Sequence, residues 1–253
     1  MKKFETNRNR ECCRMNDRPA DASALMAELH EMADPDTAVG LQRFFKTGKG
    51  DYGEEDRFLG IRMPALRKMA RKHRRVHIHD AGRLLRTPYH EARMLALLIL
   101  IEQFSRGADE EQTAVYNLYM AHTEHVNSWD LVDASAEAIP GLYLKDRSRA
   151  PLYELARSKR LWDRRIAMVA TWPYIREDDF TDALAIVEML LDDDQDLIHK
   201  AAGWMLREIG KRDMAAEEQF LKAFYPKIPR TMLRYAIEKF PEEKRRKYLR
   251  GEI

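Results

Sequence analysis

The second half of the chain contains three similar copies of one short segment, and their spacing indicates the class of fold. The three copies read Leu161-Trp162-Asp163-Arg164-Arg165-Ile166-Ala167, Leu197-Ile198-His199-Lys200-Ala201-Ala202 and Thr231-Met232-Leu233-Arg234-Tyr235-Ala236. Arg165, Lys200 and Arg234 occupy the same position in their copies, 35 and 34 residues apart. A period of about 35 residues is typical of an α-solenoid, in which each helix pair packs only on its neighbours.

The composition favours helices throughout the chain. There are 7 Val against 29 Ala, and only 11 Gly and 10 Pro, so β-branched residues and tight turns are both scarce. The tetratricopeptide consensus is absent. We therefore predict an all-α protein, an α-solenoid of HEAT-like antiparallel helix pairs with a concave basic groove. From residue 79 onward, helices are predicted near 79–86, 88–104, 109–123, 128–140, 148–159, 161–172, 177–191, 195–210, 213–223, 229–239 and 241–249.

The ends of the pattern define the domain. Residues 1–21 are polar and aperiodic and predict a disordered tail, whereas residues 22–253 show no linker and predict a single domain. The only two cysteines, Cys12 and Cys13, lie in the tail, which excludes a disulfide framework and a thiolate zinc site. The longest apolar run, Met94 to Ile101, is too short to cross a bilayer, and no apolar segment follows the charged start. We expect a cytoplasmic protein that does not enter membranes.

Basic residues are concentrated although the net charge is only +2. Nine lie between Arg62 and Arg86, where Asp80 is the only acid, and the stretch from Lys239 to Arg250 is also basic. Such patches on a nearly neutral chain are typical of a surface that faces a polyanion, although they also occur on ordinary solvated helices. Because one repeat position lines one surface of a solenoid, we expect Arg165, Lys200 and Arg234 to form a solvent-facing basic column.

One helix departs from the basic column. In Asn127-Ser128-Trp129-Asp130-Leu131-Val132-Asp133 the basic position is taken by Val132, and Asp133 stands beside it. Trp129 and Asp133 are four residues apart and share one helix face, behind an N-cap at Asn127 or Ser128. A carboxylate beside an indole in a basic groove is a candidate electrostatic catalyst. The alternative is a buried Trp next to a solvated Asp.

A second constellation combines Lys200, Trp204 and Arg207 on one helix face, with Gly203 allowing a close approach of the backbone. A Trp flanked by two cations is unlike a core residue, although core packing remains the alternative. Other sites have weaker signals. The histidines at 73, 77 and 79 have no accompanying acidic or cysteine ligand, so no metal site is predicted. The Gly-rich stretch 47–53 lacks the spacing of a phosphate-binding loop and predicts a mobile loop near a polyanion.

Four motifs together resemble the AlkD-type DNA alkylation-repair family. They are Phe58-Leu59-Gly60-Ile61-Arg62-Met63-Pro64, Asn127-Ser128-Trp129-Asp130-Leu131-Val132-Asp133, Leu161-Trp162-Asp163-Arg164-Arg165 and Lys200-Ala201-Ala202-Gly203-Trp204-Met205-Leu206-Arg207-Glu208, and they occur in the family's order. The resemblance covers about residues 22–245. This chain departs from the smallest members of the family in its N-terminal tail and its Gly-rich loop. It also has Arg62-Met63 where family members carry polar groups that contact DNA.

The resemblance implies a monomeric, monofunctional DNA glycosylase that removes cationic N3- or N7-alkylated purines from double-stranded DNA in base excision repair. Members of this type need no metal or cofactor and act without flipping the base into a pocket. The family's catalytic residues fall on Trp129, Asp133 and Trp204, and its groove arginine falls on Arg165. The DNA-binding residues are then predicted to be Arg165, Lys200, Arg207, Arg234 and Arg67. The alternative is a non-catalytic HEAT-like scaffold that binds nucleic acid or protein.

Overall fold

The computed structural model describes residues 19–54 and 56–253. Its helices are α1 (Ala22–Glu31), α2 (Pro35–Phe44), α3 (Met63–Lys72), α4 (Ile78–Leu85), α5 (His90–Phe104), α6 (Asp109–Met120), α7 (Trp129–Ser135), α8 (Leu142–Leu144), α9 (Ala150–Ala156), α10 (Leu161–Val169), α11 (Trp172–Ile175), α12 (Thr181–Met189), α13 (Asp196–Arg212), α14 (Met214–Phe224), α15 (Arg230–Ala236) and α16 (Glu242–Arg250). In this part of the chain there is no β-strand, only one parallel bridge between Arg57 and Tyr89. The prediction of an all-α protein is confirmed.

The helices predicted from residue 79 onward match helices of the structure within four residues, with one exception, whereas the short helices α8 and α11 were not predicted. The helix predicted over 128–140 ends at Ser135 and continues as a π-helical turn, Glu137–Gly141. Pro140 has no N–H to donate to the helical ladder, and the N–H of Gly141 donates instead to the carbonyl of Ala136. The break ends α7 soon after Asp133.

Most helices fall into two rows. We call α3, α5, α7, α10, α13 and α15 the inner row, because each contacts the next in that order. The outer row contains α4, α6, α9, α12 and α14, which pack against the inner helices. This order is the one expected of stacked helix pairs, and it is compatible with the predicted solenoid.

The helix α5 is buried on every side up to its last turn. Every residue from His90 to Leu100 is buried, so this part of α5 has no solvent-facing polar side. The repeated segments pack closely at Gly203, where a Cβ would lie 2.4 Å from the carbonyl oxygen of Met232. The glycine predicted to allow a close approach therefore does so, between α13 and α15.

A buried carboxylate fixes the segment before α3. Glu91 accepts hydrogen bonds from the backbone N–H groups of Leu59, Gly60 and Ile61, at 2.9, 2.8 and 3.2 Å. Gly60 has φ +84°, and a Cβ there would lie 2.0 Å from the carbonyl oxygen of Asp34. The turn thus needs glycine, and it holds α2 and α3 against α5.

The polar tail predicted for residues 1–21 lies almost entirely outside the described residues, as do Cys12 and Cys13. Within the described residues, none of the helices combines the length and apolar composition needed to cross a bilayer. The same residues contain no cluster of three His, Cys, Asp or Glu side chains arranged to hold a metal ion.

Candidate functional site

An open cavity of about 640 Å³ lies along the inner row and collects most of the predicted site residues. Its lining consists of Phe44, Lys46, Tyr52, Trp129, Asp133, Arg165, Gln195, Asp196, Leu197, Lys200, Trp204, Arg207 and Tyr235. Trp129 and Asp133 come from α7, Arg165 from α10, and the 200–207 face from α13. The cavity therefore joins the two constellations found in the sequence.

Asp133 and Arg165 form a bidentate ion pair beside this cavity. Arg165 donates from Nε to Oδ1 at 2.9 Å and from Nη2 to Oδ2 at 2.8 Å. Its remaining guanidinium nitrogen, Nη1, donates to the carbonyl oxygen of Leu197. Two parallel bonds fix the plane of the carboxylate as well as its charge.

The Asp133 carboxyl lies in a partly desolvated setting. Its side chain is 22% exposed, against 6% for Arg165. Burial raises the pKa of Asp133 above its ordinary value, and the hydrogen bonds and charge of Arg165 oppose that rise. An anion held here interacts strongly with any positive charge that develops in the cavity, because little water screens it.

The prediction that Arg165 faces solvent is wrong. The side chain is buried, and its donors are used by Asp133 and Leu197. A buried guanidinium needs such partners, and the carboxylate comes from the preceding inner helix. Of the predicted basic column, only Lys200 and Arg234 reach solvent, and Arg234 is exposed outside the cavity lining.

Trp129 is held by an aromatic cluster at the end of α2. Phe45 stacks on it with a centroid distance of 5.6 Å and an interplanar angle of 20°, and Phe44 meets it edge-on at 5.9 Å. Phe44 is 63% exposed although it is a large apolar side chain. The cluster therefore presents aromatic surface to the cavity and keeps the indole in place.

A buried polar network fixes the start of α7. His90 hydrogen-bonds Asp56 at 3.0 Å through Nδ1 and Asp130 at 2.8 Å through Nε2, and its ring stacks on Phe58. Burial alone would lower the pKa of His90, but its bonds to the two carboxylates outweigh this and raise it to about 9. A charged His90 between two carboxylates anchors the first turn of the helix that carries Trp129 and Asp133.

The N-cap prediction for α7 is correct in position but not in detail. Ser128 precedes the helix, yet its hydroxyl donates to Asp130 at 2.7 Å and does not cap a backbone N–H. Asn127 donates to Asp56 at 3.1 Å and so joins the buried network. Both residues therefore help to anchor α7, Asn127 through Asp56 and Ser128 through Asp130.

The far side of the cavity carries the second constellation. Trp204 meets Trp172 edge-on at 5.1 Å, and its indole N–H donates to Glu208 at 3.2 Å. Lys200 pairs with Asp196 at 2.7 Å, and Arg207 pairs with Glu238. Lys200, Trp204 and Arg207 all line the cavity, so their predicted common face is confirmed as a geometric fact.

Seven lining residues were not predicted as site residues: Phe44, Lys46, Tyr52, Gln195, Asp196, Leu197 and Tyr235. Tyr52 lies in the Gly-rich stretch, and its ring meets Trp162 edge-on at 5.5 Å. Burial raises the pKa of Tyr52, and the neighbouring carboxylates of Asp130 and Asp51 add to the rise. The sequence does show an aromatic residue, Tyr52, within a glycine-rich loop, which could have marked it as a candidate. It does not show that this loop reaches α10. Arg67, the remaining predicted residue, is exposed on α3 outside the cavity.

Comparisons with known proteins identify the family of this chain. The model of the family described as DNA alkylation repair enzyme matches residues 25–240. The solved structure of a predicted DNA alkylation repair enzyme from Enterococcus faecalis is similar, with a TM-score of 0.64 and 16% sequence identity over 83% of this chain and 98% of that chain. At that identity the likeness supports the fold alone. No curated protein matches the sequence. Because the family model spans most of the chain, the protein belongs to the DNA alkylation repair enzyme family.

Proposed function

We propose that the protein is a monofunctional DNA glycosylase that excises cationic N3- and N7-alkylated purines from duplex DNA. The observation that carries this proposal is the Asp133 carboxylate, fixed by Arg165 beside an open cavity that Trp129 and Trp204 also line. A carboxylate held in place without cost at the moment of reaction is suited to a transition state that gains positive charge.

The chemistry requires little else from the protein. Alkylation at N3 or N7 makes the purine cationic. The glycosidic bond between N9 and C1′ then breaks, and both of its electrons leave with the base, which becomes neutral. The sugar then has oxocarbenium character, which Asp133 stabilises. Water forms the new bond to C1′, and its proton passes to Asp133 or to solvent.

The two tryptophans contribute through their π faces. An indole attracts nearby positive charge by about 0.5–2 kcal/mol, depending on how dry the contact is. Trp129 is held by Phe45, and Trp204 by Trp172 and Glu208. Indoles fixed in this way can pack against the deoxyribose without reorganising.

Phosphate binding is assigned to three cations in and beside the cavity. Lys200 and Arg207 line it, and Arg234 stands on α15 beyond it. Lys200 pairs with Asp196 and Arg207 with Glu238, and a phosphate can replace either carboxylate. Arg234 is exposed to solvent. Contacts of this kind give affinity that depends on salt but not on sequence. The site residues all lie on helices and grip the backbone, which favours excision without base flipping.

The direct test is release of the base from a duplex that carries one N7-methylguanine. We expect the wild-type protein to yield free 7-methylguanine and an abasic site, without strand cleavage before alkaline treatment. No release above the spontaneous rate at saturating protein would contradict the proposed activity. Duplex binding without release would instead favour a non-catalytic scaffold.

A further inference from the structure

The two basic segments of the sequence differ in how their charges are paired. In the C-terminal segment each cation on α16 lies beside a carboxylate: Arg245 and Arg246 pair with Glu242, Lys247 with Glu243, Lys244 with Glu218 and Arg250 with Glu252. Such a helix is largely neutralised by its own surroundings. It does not need an external anion.

The segment from Arg62 to Arg86 keeps most of its charge unpaired. All nine of its basic residues are exposed, and within the described residues only Lys72 and Arg83 have a carboxylate within ion-pair distance. The other seven are Arg62, Arg67, Lys68, Arg71, Arg74, Arg75 and Arg86. Concentrated, solvated positive charge of this kind attracts polyanions.

This charge begins next to the candidate site. Met63, the first residue of α3, lines a cavity of about 230 Å³ together with Phe44, and Phe44 also lines the larger cavity that holds Asp133. Arg67 and Arg71 follow Met63 at intervals of four residues and so share its side of the helix. The row from Met63 to Arg71 extends about 12 Å at 1.5 Å per residue.

The inner row places α3 on one side of α7, with α10, α13 and α15 on the other side. On the buried side of α3, Leu66 and Met69 are buried, which leaves Arg67 and Arg71 outward. A duplex with its lesion at α7 would extend in two directions, one toward Lys200 and Arg234 and the other toward α3.

We infer that the exposed row Arg67–Arg71 on α3 is a second duplex-binding surface, which holds backbone phosphates of one DNA arm away from the lesion. The inference rests on the proposed function for the position of the lesion. The row belongs to the protein's grip on DNA, and it has no part in breaking the glycosidic bond.

The chemistry of α3 selects a duplex over a single strand. Surfaces that hold single-stranded nucleic acid interleave cations with aromatic side chains on which bases stack. The exposed residues of α3 are Pro64, Arg67, Lys68, Arg71 and Lys72, with no aromatic side chain among them. Arg67 and Arg71 rise about 6 Å apart along the helix, a spacing that can serve successive phosphates.

The first experiment measures affinity for an undamaged 30-base-pair duplex as a function of salt, with Arg67→Ala/Arg71→Ala and the wild type. We expect the slope of log affinity against log salt to become shallower by about two units, one for each lost phosphate contact. The matched control is Arg246→Ala/Lys247→Ala on α16, which we expect to leave the slope unchanged. An unchanged slope in the α3 variant, with an unchanged melting temperature, would overturn the inference.

The second experiment locates the surface. Two duplexes carry a tetrahydrofuran abasic analogue near one end, so that a long flank lies on the 5′ side in one and on the 3′ side in the other. We expect the α3 variant to lose affinity for only one of them. Equal losses on both, or a larger loss on a single strand of the same length, would overturn the assignment to one duplex arm. Failure of base release by the wild type, with the salt effect intact, would contradict the glycosylase proposal and leave the DNA surface standing.

Discussion

Arg165 holds both oxygens of Asp133, at 2.9 and 2.8 Å, from a position that is almost completely buried. The two residues come from successive inner-row helices, α7 and α10, which pack against each other. Arg165, which occupies the repeat position of the predicted basic column, therefore binds the carboxylate of Asp133 and does not face solvent as the other two members do. The role of Arg165 in the proposed reaction is to keep Asp133 ionised and oriented.

Replacing Arg165 should move the acid limit of activity. Asp133 acts as a carboxylate, so activity is present above its pKa and is lost as pH falls through it. Burial already raises this pKa and Arg165 opposes the rise, so Arg165→Ala should raise it further and move the acid limb toward neutral pH. Single-turnover excision rates across pH measure the limb. The control is Arg164→Ala, which also loses a shielded pair, with Asp193. A limb that moves equally in both variants would contradict this role.

Lys200 should contribute to binding rather than to chemistry. Lys200→Ala removes a cation from the cavity, so damaged and undamaged duplexes should weaken together and the salt slope should become shallower by about one unit. Titration of fluorescent duplexes at several salt concentrations measures this slope. Lys247→Ala, on the self-paired α16, is the control. Unchanged affinity and slope would place Lys200 away from the DNA.

The positive charge of the lesion, rather than its shape, should set selectivity. If the base stays outside a closed pocket, a bulky N3- or N7-adduct should leave at a rate comparable to the methyl adduct, and neutral uracil should not be excised. The rates are compared in one duplex sequence. A loss of more than about a hundredfold for the bulky adduct, roughly 2.7 kcal/mol of barrier, would indicate a steric pocket.

Glu217 should make the fold sensitive to alkali. Its side chain is buried, one oxygen has no hydrogen-bond partner, and burial, with the nearby Glu218, raises its pKa to about 9. The folded state therefore holds a proton that the unfolded state releases above its ordinary pKa of about 4.5. The free energy of unfolding should fall as pH rises toward 9, by up to about 1.4 kcal/mol per pH unit from this group.

Glu217→Gln should remove that dependence. Denaturant unfolding at several pH values between 5 and 9 compares the variant with the wild type, and the exposed Glu188→Gln serves as the control. We expect the variant to lose less stability than the wild type as pH rises. Parallel curves for the variant and the wild type would show that Glu217 is ionised in the folded state.

The sequence predicted the helices well because their apolar spacing and short loops are local signals. It also placed Trp129 and Asp133 together, since a spacing of four residues in a helix brings them to one face. It did not predict the burial of Arg165. A count of charges along the chain cannot tell which carboxylate will lie opposite a given arginine, and here the partner comes from the preceding repeat.

The aromatic side of the site was beyond local reasoning. Phe44 and Tyr52 belong to the N-terminal part of the chain, and only the packing of that part against α7 and α10 brings them to the cavity. The break in the helix after Asp133 was missed for a related reason. Pro140 allows either a kink or a π-helical turn, and the surrounding packing decides between them.

In the proposed reaction Asp133 stabilises the positive charge of the transition state, and Asp133→Asn removes the negative charge that does so. Under single-turnover conditions with N7-methylguanine duplex, we predict excision at least about tenfold slower than wild type, roughly 1.4 kcal/mol of barrier. Duplex affinity should hold or rise slightly, because a negative charge leaves a surface that binds phosphate. Asp194→Asn, an exposed carboxylate just before α13, is the matched control and should excise at the wild-type rate. An unchanged excision rate in a folded Asp133→Asn protein would contradict the proposed catalytic role of Asp133.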